Sequence, residues 1–189
     1  QPHYAASKLL GKCYMLLGGI SKKQSDYEII RQSYEKAAYY AKKIQDSCTL
    51  SDCYGHLVDY YRRENNYDMV FKYAQKTYNL YMKLGLEDDA YEELLPMTEV
   101  CLQKKDYAKA DFYLKEFERK KYYPAKKSNN LKDGCYGSYY AYKGKYYLAL
   151  GMVDSALICY YNELDFKNEI SIPYIYQELA NAYSIKDQT

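Results

Sequence analysis

The chain has 189 residues, 48% hydrophobic and 28% charged, enough apolar material for a folded core and too much for a disordered tail. Its 27 basic and 25 acidic residues leave a net charge of +2, without the dense positive field that phosphate backbones attract, so nucleic acid is not the expected partner. No run approaches the ~20 apolar residues of a membrane span, and the first residues lack the basic and apolar regions of a secretory signal.

Taken in chain order, Ser7, Leu10, Gly11 and Tyr14 recur three or four apart, which predicts the apolar face of a first helix. Gly18 to Ser25 reads as a lengthened turn, after which Tyr27, Ile30, Tyr34 and Ala37 predict a second helix. The order returns as Tyr54, Leu57, Val58 and Tyr61, a polar break at Glu64-Asn65-Asn66, then Tyr67, Val70, Ala74 and Thr77. It returns again as Leu94, Met97, Thr98 and Cys101, a break at Lys104-Lys105-Asp106, then Tyr107, Ala110, Leu114 and Phe117. Pro96 cannot donate to the Glu92 carbonyl, so a kink is expected inside that first helix.

Residues 122–134 contain Pro124, Ser128, Asn129, Asn130 and Asp133-Gly134, a loop composition. Beyond it Tyr140, Gly144 and Tyr147, a break at Gly151, then Val153, Ala156 and Tyr160 form a fourth copy. Pro173 suits the start of a last helix carrying Tyr176, Leu179, Ala180 and Tyr183 on one side. The step from the last large residue of the first helix to the first of the second is six in three copies (67−61, 107−101, 153−147), which implies a constant tight turn. We expect a single array over 1–189, with approximate repeats 3–45, 47–84, 87–121 and 136–166 and a half repeat 173–186.

Little in the chain reads as chemistry. Of the two histidines His3 is terminal, and His56 shares a helix face with Cys53 but lacks the further ligands or base that zinc or nucleophilic catalysis requires. The six cysteines are irregularly spaced and read as core thiols, and a Cys48–Cys53 bridge would interrupt a predicted helix. That thiol usage makes the cytoplasm the default compartment and leaves an extracytoplasmic sensory position open. The acid pairs Asp88-Asp89 and Glu92-Glu93 suit a solvated helix start. The basic run from Arg119 to Lys127 suits a helix C-terminus, since Glu116 and Glu118 flank it. No enzyme activity, cofactor or metal is expected.

The repeated order resembles the tetratricopeptide repeat family, on Leu10-Gly11 with Tyr14, Tyr140 with Gly144 and Tyr147, and Leu179-Ala180 with Tyr183 in first helices. Tyr27-Ile30-Tyr34-Ala37 and Val153-Ala156-Tyr160 carry it in second helices, while Val58, Thr98, Cys101 and Glu163 depart from it. Second helices begin at Tyr27, Tyr67, Tyr107 and Val153, so the period is 40, 40 and 46 against the family's ~34. The longer period is similar to that of bacterial signalling and regulatory members. The resemblance implies an all-α fold, an α-α superhelix that forms a right-handed solenoid of antiparallel helix pairs. It also implies a protein or peptide bound in a groove lined by the first helices. Carried over residue by residue, the groove would present Lys8 and Lys12, then Asp59, Arg62 and Arg63, then Glu92, Glu99 and Gln103, then Lys145, Gln177 and Asn181. Asp59 and Glu99 stand where a carboxylate clamp would need amides, which disfavours a chaperone adaptor.

The function these readings support is a protein- or peptide-binding module, the recognition or sensory part of a larger regulatory protein. The alternative is a structural scaffold or self-association array. No nucleic-acid or membrane contact by this segment is expected. Tyr14, Tyr61, Tyr147 and Tyr183 should be mostly buried, and Gly11, Gly144 and Ala180 should mark the closest helix approaches. The chain opens on Gln1 without an initiator Met and closes where a second helix would begin. We therefore expect a piece of a longer protein whose last helix leaves an apolar strip open to a neighbour.

Overall fold

The tight turns owe their constancy to one hydrogen-bond pattern. In the computed structural model, which describes residues 2–24, 27–119, 133–166 and 172–187, each such turn places one residue in the left-handed region: Gln45, Asn65, Gly85, Lys105 and Gly151, with φ from 53° to 74°. The following N–H then reaches back to a carbonyl inside the preceding helix, as from Asn66 to Tyr61 at 2.9 Å, Asp106 to Cys101 at 2.8 Å and Met152 to Tyr147 at 2.9 Å. This closure makes the six-residue step recur. Asp46, Asn66 and Asp106 then cap the next helix, each side chain accepting from the N–H three residues on.

Ten helices and no strand occur among the described residues. They are α1 (Pro2–Gln24), α2 (Tyr27–Lys43), α3 (Ser47–Arg63), α4 (Tyr67–Leu84), α5 (Glu87–Glu92), α6 (Leu94–Gln103), α7 (Tyr107–Arg119), α8 (Asp133–Ala149), α9 (Val153–Leu164) and α10 (Ile172–Lys186). The fold is all-α. The chain divides into two compact units, Gln1–Val100 and Cys101–Thr189.

In the first unit α1 packs on α2, α2 on α3, and α3 on α4. Cys53 of α3 joins Ala37, Ala38 and Ala41 of α2 in one apolar cluster, while Tyr54 and Tyr61 lay their rings against Tyr73 of α4. In the second unit α7 packs on α8, α8 on α9, and α9 on α10. Tyr139 of α8 stacks on Phe117 of α7, and Ile175, Leu179 and Ala182 of α10 bury against Ala156, Leu157 and Tyr160 of α9.

Two helix pairs, α1 with α2 and α8 with α9, close on a glycine facing a tyrosine. A Cβ added to Gly144 would sit 2.4 Å from the ring of Tyr160, and one added to Gly18 would sit 2.8 Å from the ring of Tyr34. Both pairs are sixteen residues apart (160−144, 34−18), the spacing that also separates Val58 from Ala74 and Thr98 from Leu114.

Several expectations need correction. The lengthened turn at Gly18 does not exist as a turn: α1 runs on through Gln24, so Gly18, not Gly11, is the point of closest approach, and Gly11 meets Tyr40 only at an ordinary 3.7 Å. Tyr61 is buried and Tyr14 and Tyr147 half-buried, but Tyr183 is 42% exposed and Ala180 is exposed too. They lie on a side of α10 that α9 does not cover. Where a kink was expected from Pro96, the helix breaks for one residue: α5 stops at Glu92, Glu93 stays in the right-handed region with φ −70° and ψ −11°, and α6 begins at Leu94. Of the cysteines only Cys53, Cys101 and Cys159 are buried, Cys13 and Cys48 are exposed, and no disulfide joins any of the six. His56 stacks on Tyr34 with ring centroids 4.4 Å apart. Of the loop expected over 122–134, Asp133-Gly134 begins α8, and the rest, with the basic run beyond Arg119, lies outside the described residues.

Candidate functional site

Two places in the second unit stand out, and both follow from how a first helix is used on two sides. Tyr140, Gly144 and Tyr147 of α8 are spaced four and three residues apart, and Gly144 and Tyr147 of that row pack on α9. On α10 the same spacing carries Tyr176, Ala180 and Tyr183, and this row is exposed, Tyr176 at 59%. Tyr161 of α9 borders it, its hydroxyl 2.9 Å from that of Tyr183.

The second place lies where α8, α9 and α10 meet. Lys145 of α8 sets its Nζ 3.2 Å from Oε1 of Glu178 on α10. Glu163 of α9 shares their surroundings: burial pushes its carboxyl up to about 7, Lys145 opposes the shift and Glu178 adds to it. Tyr160, wholly buried, has its phenol pushed up first by burial and then by Glu178 and Glu163. Its hydroxyl has Glu178 as its neighbouring acceptor, and Oε2 of Glu163 is buried without a hydrogen bond to any described residue.

The residues carried over as groove-lining fall as follows. In the first unit Lys8 and Lys12 are exposed on α1, Arg63 on α3 and Glu92 on α5, with Asp59 and Arg62 half-buried on α3 and Glu99 half-buried on α6. Three of these come together: Arg62 Nε lies 2.8 Å from Glu99 Oε2, and its Nη1 3.6 Å from Asp59 Oδ1. The guanidinium is thereby engaged by acids of its own chain. The adjacent Glu93, expected with Glu92 at a solvated helix start, is instead half-buried; burial pushes its carboxyl up to about 8, helped by Glu92 and Asp59 and opposed by Arg62. In the second unit Gln103, Lys145, Gln177 and Asn181 are exposed, and of these Lys145 is brought into the cluster with Glu178. Glu163 could have been found from sequence, because it breaks the small-residue pattern. Glu178 carried no such signal.

Among the described residues no three His, Cys, Asp or Glu side chains converge as metal ligands, and no helix is long and apolar enough to cross a membrane. No family model matches the chain, and no curated protein matches it. Among solved structures the chain is similar to BtubC (BKLC) from P. vanneervenii, with a TM-score of 0.72 and 18% sequence identity, over 94% of this chain and 74% of that one. At that identity the likeness shows the helical fold alone.

Proposed function

We propose that the chain is a protein- or peptide-binding repeat module of the tetratricopeptide type, and that it receives an amphipathic helix on Tyr176, Ala180 and Tyr183 of α10. The observation that carries this reading is the pairing of α8 with α9. There, a row with the same spacing seats a helix that presents Tyr160 opposite the small Gly144. A partner helix on α10 would present a large apolar residue opposite Ala180 and pack its flanks against the two tyrosine rings. This is helix-on-helix recognition with anchors three and four apart, and exposed tyrosine suits the centre of such an interface. Within a larger regulatory protein the module would serve recognition.

The test uses α9 itself as surrogate. A labelled peptide of residues 152–166, titrated with the chain and followed by fluorescence anisotropy, should bind saturably. Ala180→Leu, at an exposed position, should fill the small site and weaken binding at least about tenfold, the loss of one well-packed contact, without lowering the melting temperature. Equal binding by variant and parent, or none by either, would count against the reading. The same uncovered face also favours a self-associating array. Light scattering separates the two, since only self-association makes the mass rise with protein concentration in the absence of peptide.

A further inference from the structure

In the first unit one pairing of side chains occurs twice at the repeat distance. Lys36 of α2 holds its Nζ 5.3 Å from the ring centroid of Tyr14 on α1, and Lys76 of α4 holds its Nζ 5.2 Å from that of Tyr54 on α3. Both members of the pair are forty residues apart (54−14, 76−36). The repeat does not require the pair, because the next copy has Leu94 and Glu116 at these places. Both lysines are exposed, and neither meets a carboxylate among the described residues. The two acids of α2 are already engaged, since Arg31 bonds Glu28 at 2.6 Å and Glu35 at 2.8 Å. Lys76 lies over Tyr73 as well, at 5.1 Å, with Lys72 over the same ring at 5.9 Å. Burial, and after it Lys72 and Lys42, hold the Lys76 ammonium below its ordinary value, with no carboxylate offsetting them. Beside Lys36 is an open pocket of about 320 Å³ lined by Tyr14, Tyr39, Tyr40, Gln32, Glu35 and Lys36 itself. Tyr40 lies parallel to Tyr14 and Tyr39 nearly perpendicular to Tyr40, so ring faces form two of its walls.

We propose that this face of α2 and α4 binds an acidic segment of a partner protein, one glutamate reaching Lys36 through the tyrosine-lined pocket and a second reaching Lys76. The charge complementarity is local: each ammonium is free of acids and rests on a ring, so a carboxylate meets a lysine whose position is already restrained. Glutamate suits the pocket because its methylenes can lie against the ring faces while its carboxylate meets the ammonium. α2 and α4 both pack on α3, so at about 8–10 Å for each contact their axes are at most about 20 Å apart. An extended chain covers that distance in about six residues, which sets the spacing of the two acids. A nucleic acid fits less well, since its evenly charged backbone would also pass Glu28 and Glu35 on the helix that carries Lys36. The proposal does not depend on the helix-binding reading, which rests on α10 in the other unit.

The test is a labelled nonapeptide carrying four glutamates, compared by anisotropy with its glutamine twin on the full chain at low salt. The glutamate peptide should bind and the twin should not. Lys36→Gln and Lys76→Gln should each weaken binding about two- to fivefold, the range of one exposed ion pair, and the double variant about tenfold. All three should keep the parent's melting temperature, because both side chains are exposed. Arg63→Gln, which removes the same charge from an exposed position of α3, should leave the affinity unchanged, as should Ala180→Leu. Equal binding of the two peptides, or binding of neither, would overturn the proposal. So would a loss in Arg63→Gln as large as that in Lys36→Gln, which would reduce the effect to net charge. A labelled oligothymidylate of equal charge that bound more tightly, and weakened in the same two lysine variants, would overturn it in favour of nucleic acid. Loss of binding in Ala180→Leu would overturn it too, and would place the peptide on the tyrosine row of α10.

Discussion

Gly144→Ala adds one methyl at the tightest contact in the second unit, and its sign is informative. The added carbon would stand 2.4, 2.8 and 2.9 Å from Cε1, Cζ and Cδ1 of Tyr160. Carbon pairs settle at about 3.5–4.0 Å, so the ring must retreat by about 1 Å. It has nowhere open to go, being fully buried among Ala156, Leu157, Ile175 and Leu179. Overpacking of this kind costs about 1–3 kcal/mol, whereas exchanging a helical glycine for alanine by itself returns about 1 kcal/mol. The net loss is therefore up to about 2 kcal/mol, or a fall of a few degrees in melting temperature for a chain of this size. Gly55→Ala is the matched control: it lies inside α3, and an added Cβ meets nothing within 4 Å. That variant should gain about 1 kcal/mol. Far-ultraviolet circular-dichroism melts of the two variants should move in opposite directions, and adding Tyr160→Leu to Gly144→Ala should recover part of the loss. If Gly144→Ala is as stabilising as Gly55→Ala, the ring does not sit on the glycine and the helix pairing described here is wrong.

Other substitutions test other parts of the account. Lys105 holds φ 57° without being glycine, so Lys105→Gly should raise stability by about 0.5–1 kcal/mol in a denaturant titration. Arg62→Glu would set a third carboxylate among Asp59 and Glu99 and should cost about 1–3 kcal/mol. Exposed Arg63→Glu should stay within about 0.5 kcal/mol of the parent, and equal losses would refute the Arg62 pairing. Glu93 keeps its proton to about pH 8 in the folded chain against 4.5 for an ordinary glutamate. The folded state thus binds more protons between these values, and this contribution to stability falls as pH rises through the window. Glu93→Gln should flatten the dependence of melting temperature on pH there, and an unchanged slope would remove Glu93 from the explanation.

How much of this was legible in sequence can be seen residue by residue. The turn spacing was, because a left-handed residue followed by a backward hydrogen bond fixes six positions locally, and glycine or asparagine marks it at Gly85, Gly151 and Asn65. The Gly144 contact was, because a lone glycine inside an otherwise helical pattern signals close approach. The equivalent in α1 was misplaced by two turns, since Gly11 and Gly18 lie on one helix face and only packing against Tyr34 separates them. In α10 the apolar row was identified, but which of its two sides met α9 was not, because Ile175, Leu179 and Ala182 have the same periodicity as Tyr176, Ala180 and Tyr183. The charged cluster of Glu163, Glu178 and Lys145 was half visible. Glu163 broke the pattern, yet Glu178 and Lys145 reach it from helices far away in sequence, and no spacing rule links them.

The central claim is that the tyrosine row of α10 receives a helix. The most direct measurement is a two-dimensional amide NMR titration of the chain with the peptide of residues 152–166. The account predicts that the largest shifts at saturation fall on Tyr176, Ala180 and Tyr183, with Tyr161 beside them, and that in Ala180→Leu the shifts at Tyr176 and Tyr183 need at least about tenfold more peptide to develop. Shifts confined to α7, or to α8 around Gly144 as the peptide displaces α9 there, would contradict it.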